Sequence, residues 1–174
     1  YLEIGLQNRT SNLVNYWSIK KEVANNIIIS EAAEHLRFLM RKSVKEQLMS
    51  YVPLGYFLSG GIDSSVVVYE ASKVNNINKT YTIGFEDPVH SEAVYARTIV
   101  GLCKTQHKER TLSEEDAIQL LPEMLQWYDE PYADTSAIPS FLVSKFAREE
   151  VTVALTGDGG DELFGGYLLY QKFI

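Results

Sequence analysis

From Pro53 onward, short runs of β-branched, aromatic and aliphatic residues alternate with helical segments, and the first and last runs each lead into a glycine-rich stretch. This alternation restricts the fold more than any other property of the chain. The runs are Gly55–Ser59 (GYFLS), Lys79–Phe85 (KTYTIGF), a weaker one at Gln106–Thr111, and Val151–Leu155 (VTVAL). Helical spacing predicts helices over Asp63–Val74, Glu92–Leu102, Ser113–Tyr128 and Ile138–Glu149, with Ser113 and Asp116 placed as a capping pair. Strands separated by helices form β-α-β units. The expected fold is therefore α/β, a parallel twisted sheet flanked by helices in a Rossmann-like three-layer arrangement. In such a sheet the ligand is expected beyond the carboxyl ends of the strands, near the switch in strand order.

Upstream, a helix is predicted over Ser30–Ser50, with Ser30 as N-cap and Ala32, Leu36, Leu39, Met40, Val44 and Leu48 at helical spacing. Residues 1–30 are polar, Asn-rich and irregular apart from an apolar cluster at Leu13, Val14, Tyr16, Trp17 and Ile19. They are expected to be a connecting segment packed on the core.

The net charge of −7 argues against a partner bound through phosphates, so no nucleic-acid partner is expected. The single cysteine, Cys103, excludes an internal disulfide and a Cys-rich zinc site, and reads as a small buried hydrophobe. No signal peptide and no membrane-crossing apolar run is present, which makes a cytoplasmic location the default. The chain opens on Tyr1 and stops at Ile174 soon after a glycine-rich loop, so a piece of a larger protein is expected.

The first glycine-rich stretch is Ser59-Gly60-Gly61-Ile62-Asp63-Ser64-Ser65. Phosphates need inward-pointing backbone N–H groups with no side chain in the way, and Gly60 and Gly61 satisfy that condition. The helix starting near Asp63 adds its N-terminal amides, and Ser59, Ser64 and Ser65 add hydroxyl donors. Asp63 beside an anion makes sense as a Mg²⁺ ligand, because carboxylate plus phosphate oxygens is the usual environment of that ion. A Walker loop is excluded, since no Lys follows the glycines, and the dinucleotide fingerprint is absent.

This segment resembles the phosphate loop of the ATP pyrophosphatases, which cleave ATP to AMP and pyrophosphate. The second stretch, Thr156-Gly157-Asp158-Gly159-Gly160-Asp161-Glu162-Leu163-Phe164-Gly165-Gly166-Tyr167, is similar to the signature of the asparagine synthetases within that superfamily. With Asp63 it brings the carboxylates to four, and Asp161 is the natural second Mg²⁺ ligand. Ser91-Glu92, Ala96-Arg97, Gly84-Phe85-Glu86-Asp87 and Asp129-Glu130-Pro131 through Pro139 also resemble the family. The resemblance spans at least Val52 to Tyr167.

The resemblance implies an adenine nucleotide alpha hydrolase-like fold, incomplete at both ends. Residues 31–174 would be the ATP-pyrophosphatase (asparagine synthase) domain, and residues 1–30 a linker after a glutaminase domain that is not in this chain. It also implies that backbone groups of Leu58 and Ile83 contact adenine, that Thr156 and Gly157 border the adenosine, and that Asp158 serves either as a base toward ammonia or as an ordering element of its loop. The implied reaction joins aspartate, ATP and ammonia into asparagine, AMP and pyrophosphate through a β-aspartyl-AMP intermediate. ATP and Mg²⁺ are then required, and glutamine supplies the ammonia in the full enzyme. Family members begin the glutaminase with a nucleophilic Cys and place a catalytic Lys downstream. Residue 1 here is Tyr, so glutamine hydrolysis is not expected on this chain, and its exposed edge leaves room for a homodimer.

Other side chains stay open. Arg97 reads as a surface ion pair rather than a phosphate ligand, and His107 divides evenly between structure and function. Asp129, Glu130 and Asp134 sit in a loop aimed at the site, either for substrate or as caps. His35 and His90 read as bystanders. The rival readings are a sugar amidotransferase or β-lactam synthetase-like relative, and a non-catalytic nucleotide-binding fragment.

Overall fold

In the computed structural model, residues 1–18, 28–75, 78–87, 89, 91–128, 130 and 134–172 are described, and the chain divides into two compact units, Tyr1–His35 and Leu36–Ile174. The first opens not with an irregular segment but with an antiparallel hairpin, β1 (Leu2–Gly5) and β2 (Thr10–Leu13), in register from Leu2↔Leu13 to Gly5↔Thr10. The turn between them is closed by the Thr10 hydroxyl donating to Asn8 Oδ1 at 2.9 Å, with Arg9 at φ 52°. Four-residue strands with the polar run TSNL carry too little alternation to register as period two, which is why the pattern alone missed them. Helix α1 (Ile29–Gln47) starts one residue before Ser30, so Ser30 lies inside it and is not its cap. Of its predicted apolar stripe only Val44 is buried, with Leu48 packed beside it, whereas Leu36 and Leu39 are exposed.

The apolar runs become four strands: β3 (Leu54–Phe57), β4 (Lys79–Phe85), β5 (Gln106–Leu112) and β6 (Val153–Leu155). All pair in parallel in the order β5-β4-β3-β6. The helices between them are α2 (Ile62–Ser72), α3 (Ala93–Cys103), α4 (Glu114–Met124) and α5 (Ala137–Ala147). A short helix, α6 (Gly160–Phe164), follows β6. The predicted capping pair forms in both directions: Ser113 Oγ accepts from Asp116 N at 3.1 Å, and Ser113 N donates to Asp116 Oδ2 at 3.3 Å. Among the described residues no helix is long and apolar enough to cross a membrane.

The core splits across the sheet as strand geometry demands. Neighbours Tyr56 and Phe57 point to opposite faces. Tyr56 and Leu58 join Val44, Val68, Ala71 and Ala96 under α1, α2 and α3, where Cys103 also packs as an ordinary small hydrophobe. Phe57 joins Tyr81, Val143, Phe146, Ala147 and Val151 under α5. Three layers result, helix–sheet–helix.

Two polar ties brace these layers. Glu70, at 5% exposure, accepts from Arg41 Nε and from Lys73 Nζ, both at 2.9 Å. Burial pushes its carboxyl up, but the hydrogen bonds and charges of Arg41 and Lys73 outweigh that and hold it below the ordinary value. A carboxyl lowered by folding stabilises the native state above its unfolded pKa, and that stabilisation is lost as pH falls through the folded value. Thermal unfolding followed against pH should therefore show stability falling below about pH 4.5, and Glu70→Gln should flatten that slope. A slope unchanged by the substitution would remove Glu70 from the account.

On the other face the buried Tyr81 hydroxyl donates to Glu150 Oε2 at 2.9 Å, and Lys108 Nζ donates to Oε1 at 2.8 Å. Burial, then the neighbouring carboxylate, raise the phenol well above its usual value. Tyr81→Phe keeps the ring, which packs edge-on to Phe146 at 5.8 Å, and leaves Glu150 with Lys108. The expected loss is about 1 kcal/mol of stability by denaturant unfolding. A loss several times larger would show that the hydroxyl does more than this one bond.

Candidate nucleotide site

The strand order puts the switch point between β3 and β6. The chain steps from β3 outward to β4 and β5, then returns to pair with the opposite edge of β3. Loops leaving the carboxyl ends of β3 and β6 therefore emerge side by side, and these are the two glycine-rich stretches.

The first loop is closed by its own serines. Ser59 N donates to Ser64 Oγ at 3.2 Å, the two hydroxyls lie 3.0 Å apart, and Gly61 N donates to Ser59 Oγ at 3.1 Å. Ser64 is buried and also donates to the Gly61 carbonyl at 3.3 Å. Ser59 and Ser64 thus hold the loop's shape from within. Ser65 borders an apolar groove of about 470 Å³ between α2 and α3, lined by Ile62, Val66, Tyr69, Tyr95, Ile99 and Leu102. Gly60 sits at φ +98°, in the region glycine favours, while Gly61 is extended (φ −65°, ψ 163°) and caps α2. With no side chain on Gly60, the loop packs directly on the first turn of α3. That support, from the turn Glu92–Ala96, lay outside the sequence reading, although Ser91-Glu92 was singled out there.

The second loop packs on the first. Gly157 rests on the backbone of Asp63 and Ser64, and Gly160 rests on the Asp63 carboxylate. The Asp158 carboxylate accepts from the Thr156 hydroxyl at 2.8 Å, and that hydroxyl in turn accepts from Asp158 N at 3.3 Å. This pair orders the turn into α6. Asp161 places its carboxylate against Gly166, and Tyr167 donates to Glu162 at 2.7 Å. That bond, then burial, push the Tyr167 phenol up to about 12.

Beyond Phe57, β3 leaves the sheet while β4 continues to Phe85. Tyr81 O faces β3, where it accepts from Leu58 N at 2.9 Å. Backbone direction alternates along a strand, so Ile83, two residues on, turns its N–H and C=O toward the side β3 has vacated. Leu58 is placed differently. It is 1% exposed, its N–H is taken by Tyr81, and its carbonyl accepts from the Thr82 hydroxyl. Thr82 is a member of this corner that sequence reasoning passed over.

Among the described residues no three His, Cys, Asp or Glu side chains converge as a full protein cage for a metal would need. Two carboxylates beside glycine backbone are instead the donor set that suits Mg²⁺, which keeps most of its ligands as water and phosphate oxygen. Asp63, seated against Gly160, and Asp161, seated against Gly166, are the carboxylates of the two loops that would hold such an ion.

The remaining candidates fall elsewhere. Arg97 makes a two-point ion pair with Glu109, at 2.9 and 2.7 Å, as a surface pair should. His107 Nδ1 lies 3.0 Å from the Thr80 hydroxyl and its Nε2 3.7 Å from Glu109. Burial, only partly offset by that carboxylate, lowers its pKa. Asp134 accepts from Ser136 N at 2.7 Å and its carbonyl accepts from Ala137 N at 3.1 Å, which closes a turn just ahead of α5, whose N-cap position is Ser136. Glu130 and His35 are exposed, and Asp129 and His90 lie outside the described residues.

A family model described as asparagine synthase matches residues 35–173. The chain belongs to the asparagine synthase family. Asparagine synthetase (glutamine-hydrolyzing) 1 of Bacillus subtilis is 40% identical over 139 residues, which are 80% of this chain and 22% of the relative. The asparagine synthetase (glutamine-hydrolyzing) of Zea mays is 34% identical over 151 residues, covering 79% of this chain and 25% of the relative. The chain thus spans about a quarter of the length of the curated relatives it matches. In fold it is similar to an NMN synthetase from Francisella tularensis, with a TM-score of 0.51 and 18% identity over 82% of this chain and 60% of that one. It is also similar to a glutamine-dependent NAD⁺ synthetase from Acinetobacter baumannii solved with ADP, at a TM-score of 0.50 and 16% identity over 97% of this chain and 32% of that one. The parallel sheet with helices on both faces is that fold.

Proposed function

We propose that the protein forms asparagine from aspartate, ATP and ammonia, and that this chain carries the half of the active site that holds the nucleotide and the metal. The observation that carries the reading is the placement of SGGIDSS and TGDGGDELFGGY side by side at the switch point, with Gly157 and Gly160 of one loop seated on Asp63 and Ser64 of the other. The aspartate side-chain carboxylate would attack the α-phosphorus of ATP, breaking the α–β bond to give an acyl-adenylate and pyrophosphate. Ammonia would then displace AMP.

Each part of the site has a task in that sequence. The backbone of Gly60 and the start of α2 would neutralise charge on the departing pyrophosphate, on a loop whose shape the Gly61 N–H helps hold through Ser59. The outward-facing backbone of Ile83 offers an edge for the adenine ring, and Thr156 and Gly157 border the sugar. Asp63 and Asp161 would hold Mg²⁺, which supplies charge neutralisation between two mutually repelling anions. The Asp158 carboxylate, tied to Thr156, keeps the second loop in shape. The names of the relatives, glutamine-hydrolyzing, favour glutamine as the source of ammonia; a glutaminase domain on the same polypeptide and a cytoplasmic location belong to the same proposal.

The test is aspartate-dependent exchange of labelled pyrophosphate into ATP by the complete protein, followed by detection of AMP and asparagine on adding ammonia. Exchange that ignores aspartate, or that responds better to another carboxylic acid, would overturn the assignment of the acceptor.

A further inference from the structure

The glycines of the two loops meet two kinds of neighbour. Gly60 and Gly157 face backbone: a Cβ on Gly157 would lie 2.5 Å from Ser64 N and 2.8 Å from the Asp63 carbonyl carbon. Gly160 and Gly166 face carboxylates. A Cβ on Gly160 would overlap the Asp63 carboxyl group, with Oδ1 at 2.7 Å, and the three nearest atoms all belong to that side chain. A Cβ on Gly166 would overlap Asp161 Oδ1, with Cγ at 3.0 Å. Backbone conformation does not explain these two glycines. The positive φ angles of this loop belong to Gly159 and Gly165, which have open space or one distant ring beside them. Any residue could adopt the backbone of Gly160 and Gly166, so what requires glycine there is room for a carboxylate.

We propose that Gly160 and Gly166 are positioning residues that keep open the volume occupied by the Asp63 and Asp161 carboxylates, and so set where those groups receive a divalent cation. The inference rests on the function proposed above and goes further, because it assigns a role in metal binding to two residues that have no side chain. A methyl group at either position displaces a rotatable side chain rather than the backbone. The fold should therefore survive while the carboxylate is pushed off its place.

The measurement is Mn²⁺ binding by electron paramagnetic resonance in the complete protein, with α,β-methylene-ATP, whose α–β linkage cannot be cleaved. G160A and G166A should each weaken Mn²⁺ binding by about tenfold, the scale at which residues that orient metal ligands act. Melting curves should stay close to that of the unsubstituted protein. G101A, at a position with nothing within 4 Å, should bind Mn²⁺ normally. In a D63N background G160A should add nothing, since both changes act on one carboxylate. Mn²⁺ affinity within twofold of the parent in both glycine variants overturns the proposal. So does unfolding of G160A, which would mean that the glycine serves the backbone. If the unsubstituted protein binds no Mn²⁺ with the nucleotide, the proposed function fails and takes this inference with it.

Discussion

Asp63→Asn is expected to reduce ATP–pyrophosphate exchange by about a hundred- to a thousandfold while leaving the melting curve in place, the loss that follows when several kcal/mol of charge stabilisation are removed. The reasoning is local. Asp63 stands in the first turn of α2, directly after the phosphate loop, with its carboxylate over Gly160. Among the described residues that carboxylate makes no hydrogen bond or ion pair, so its charge is not used in holding the fold together. Asn has the same shape, keeps the packing on Gly160, and removes the charge. Asp161→Asn is expected to act similarly, because its carboxylate is also seated against a glycine of the second loop. Exchange close to the unsubstituted level in either variant, with the fold intact, would take that residue out of the metal site.

Gly60→Ala is expected to damage both stability and nucleotide binding. At φ +98° an alanine is strained, at about 1–2 kcal/mol. Its Cβ would also lie 2.5 Å from the Glu92 carbonyl oxygen and 2.8 Å from Ala96 N. Those atoms cannot move aside cheaply, because Glu92 O already accepts from Tyr95 N at 2.9 Å and from Ala96 N at 3.2 Å in the first turn of α3. Overpacking against fixed backbone adds about 1–3 kcal/mol. Urea unfolding should therefore register a loss of about 2–5 kcal/mol, and ATP binding should weaken with it. Gly101→Ala, in the last turn of α3 with open space beside it, should instead gain up to about 1 kcal/mol from helix propensity. A stable, tightly binding Gly60→Ala variant would mean that the loop does not rest on α3 as described.

Much of this molecule was legible from residue order because the signals were local. The alternation of apolar runs and helical segments specified parallel strands, and Ser113 with Asp116 specified a cap that forms in both directions. The glycines after β3 and β6 marked the two loops that meet at the switch point. Local signals failed where they were weak or short. The hairpin β1–β2 has four-residue strands without alternation, and the first turns of α1 carry apolar residues that remain exposed.

Residue order alone thus determined the sheet type, the two loops and the carboxylates available to a metal, because each depends on periodicity or on neighbours within a few positions. Tertiary structure decided which strand lies beside β3, and hence that the two loops meet. It decided that the Ser59 and Ser64 hydroxyls are spent inside their own loop, and that Leu58 is buried with its backbone paired while Ile83 turns its backbone to the gap. It also sorted glycines that look alike in the sequence into those that yield to backbone and those that yield to a carboxylate. The reason is physical: a glycine's neighbour across a loop is set by how two distant segments pack, and no property of the glycine itself records it.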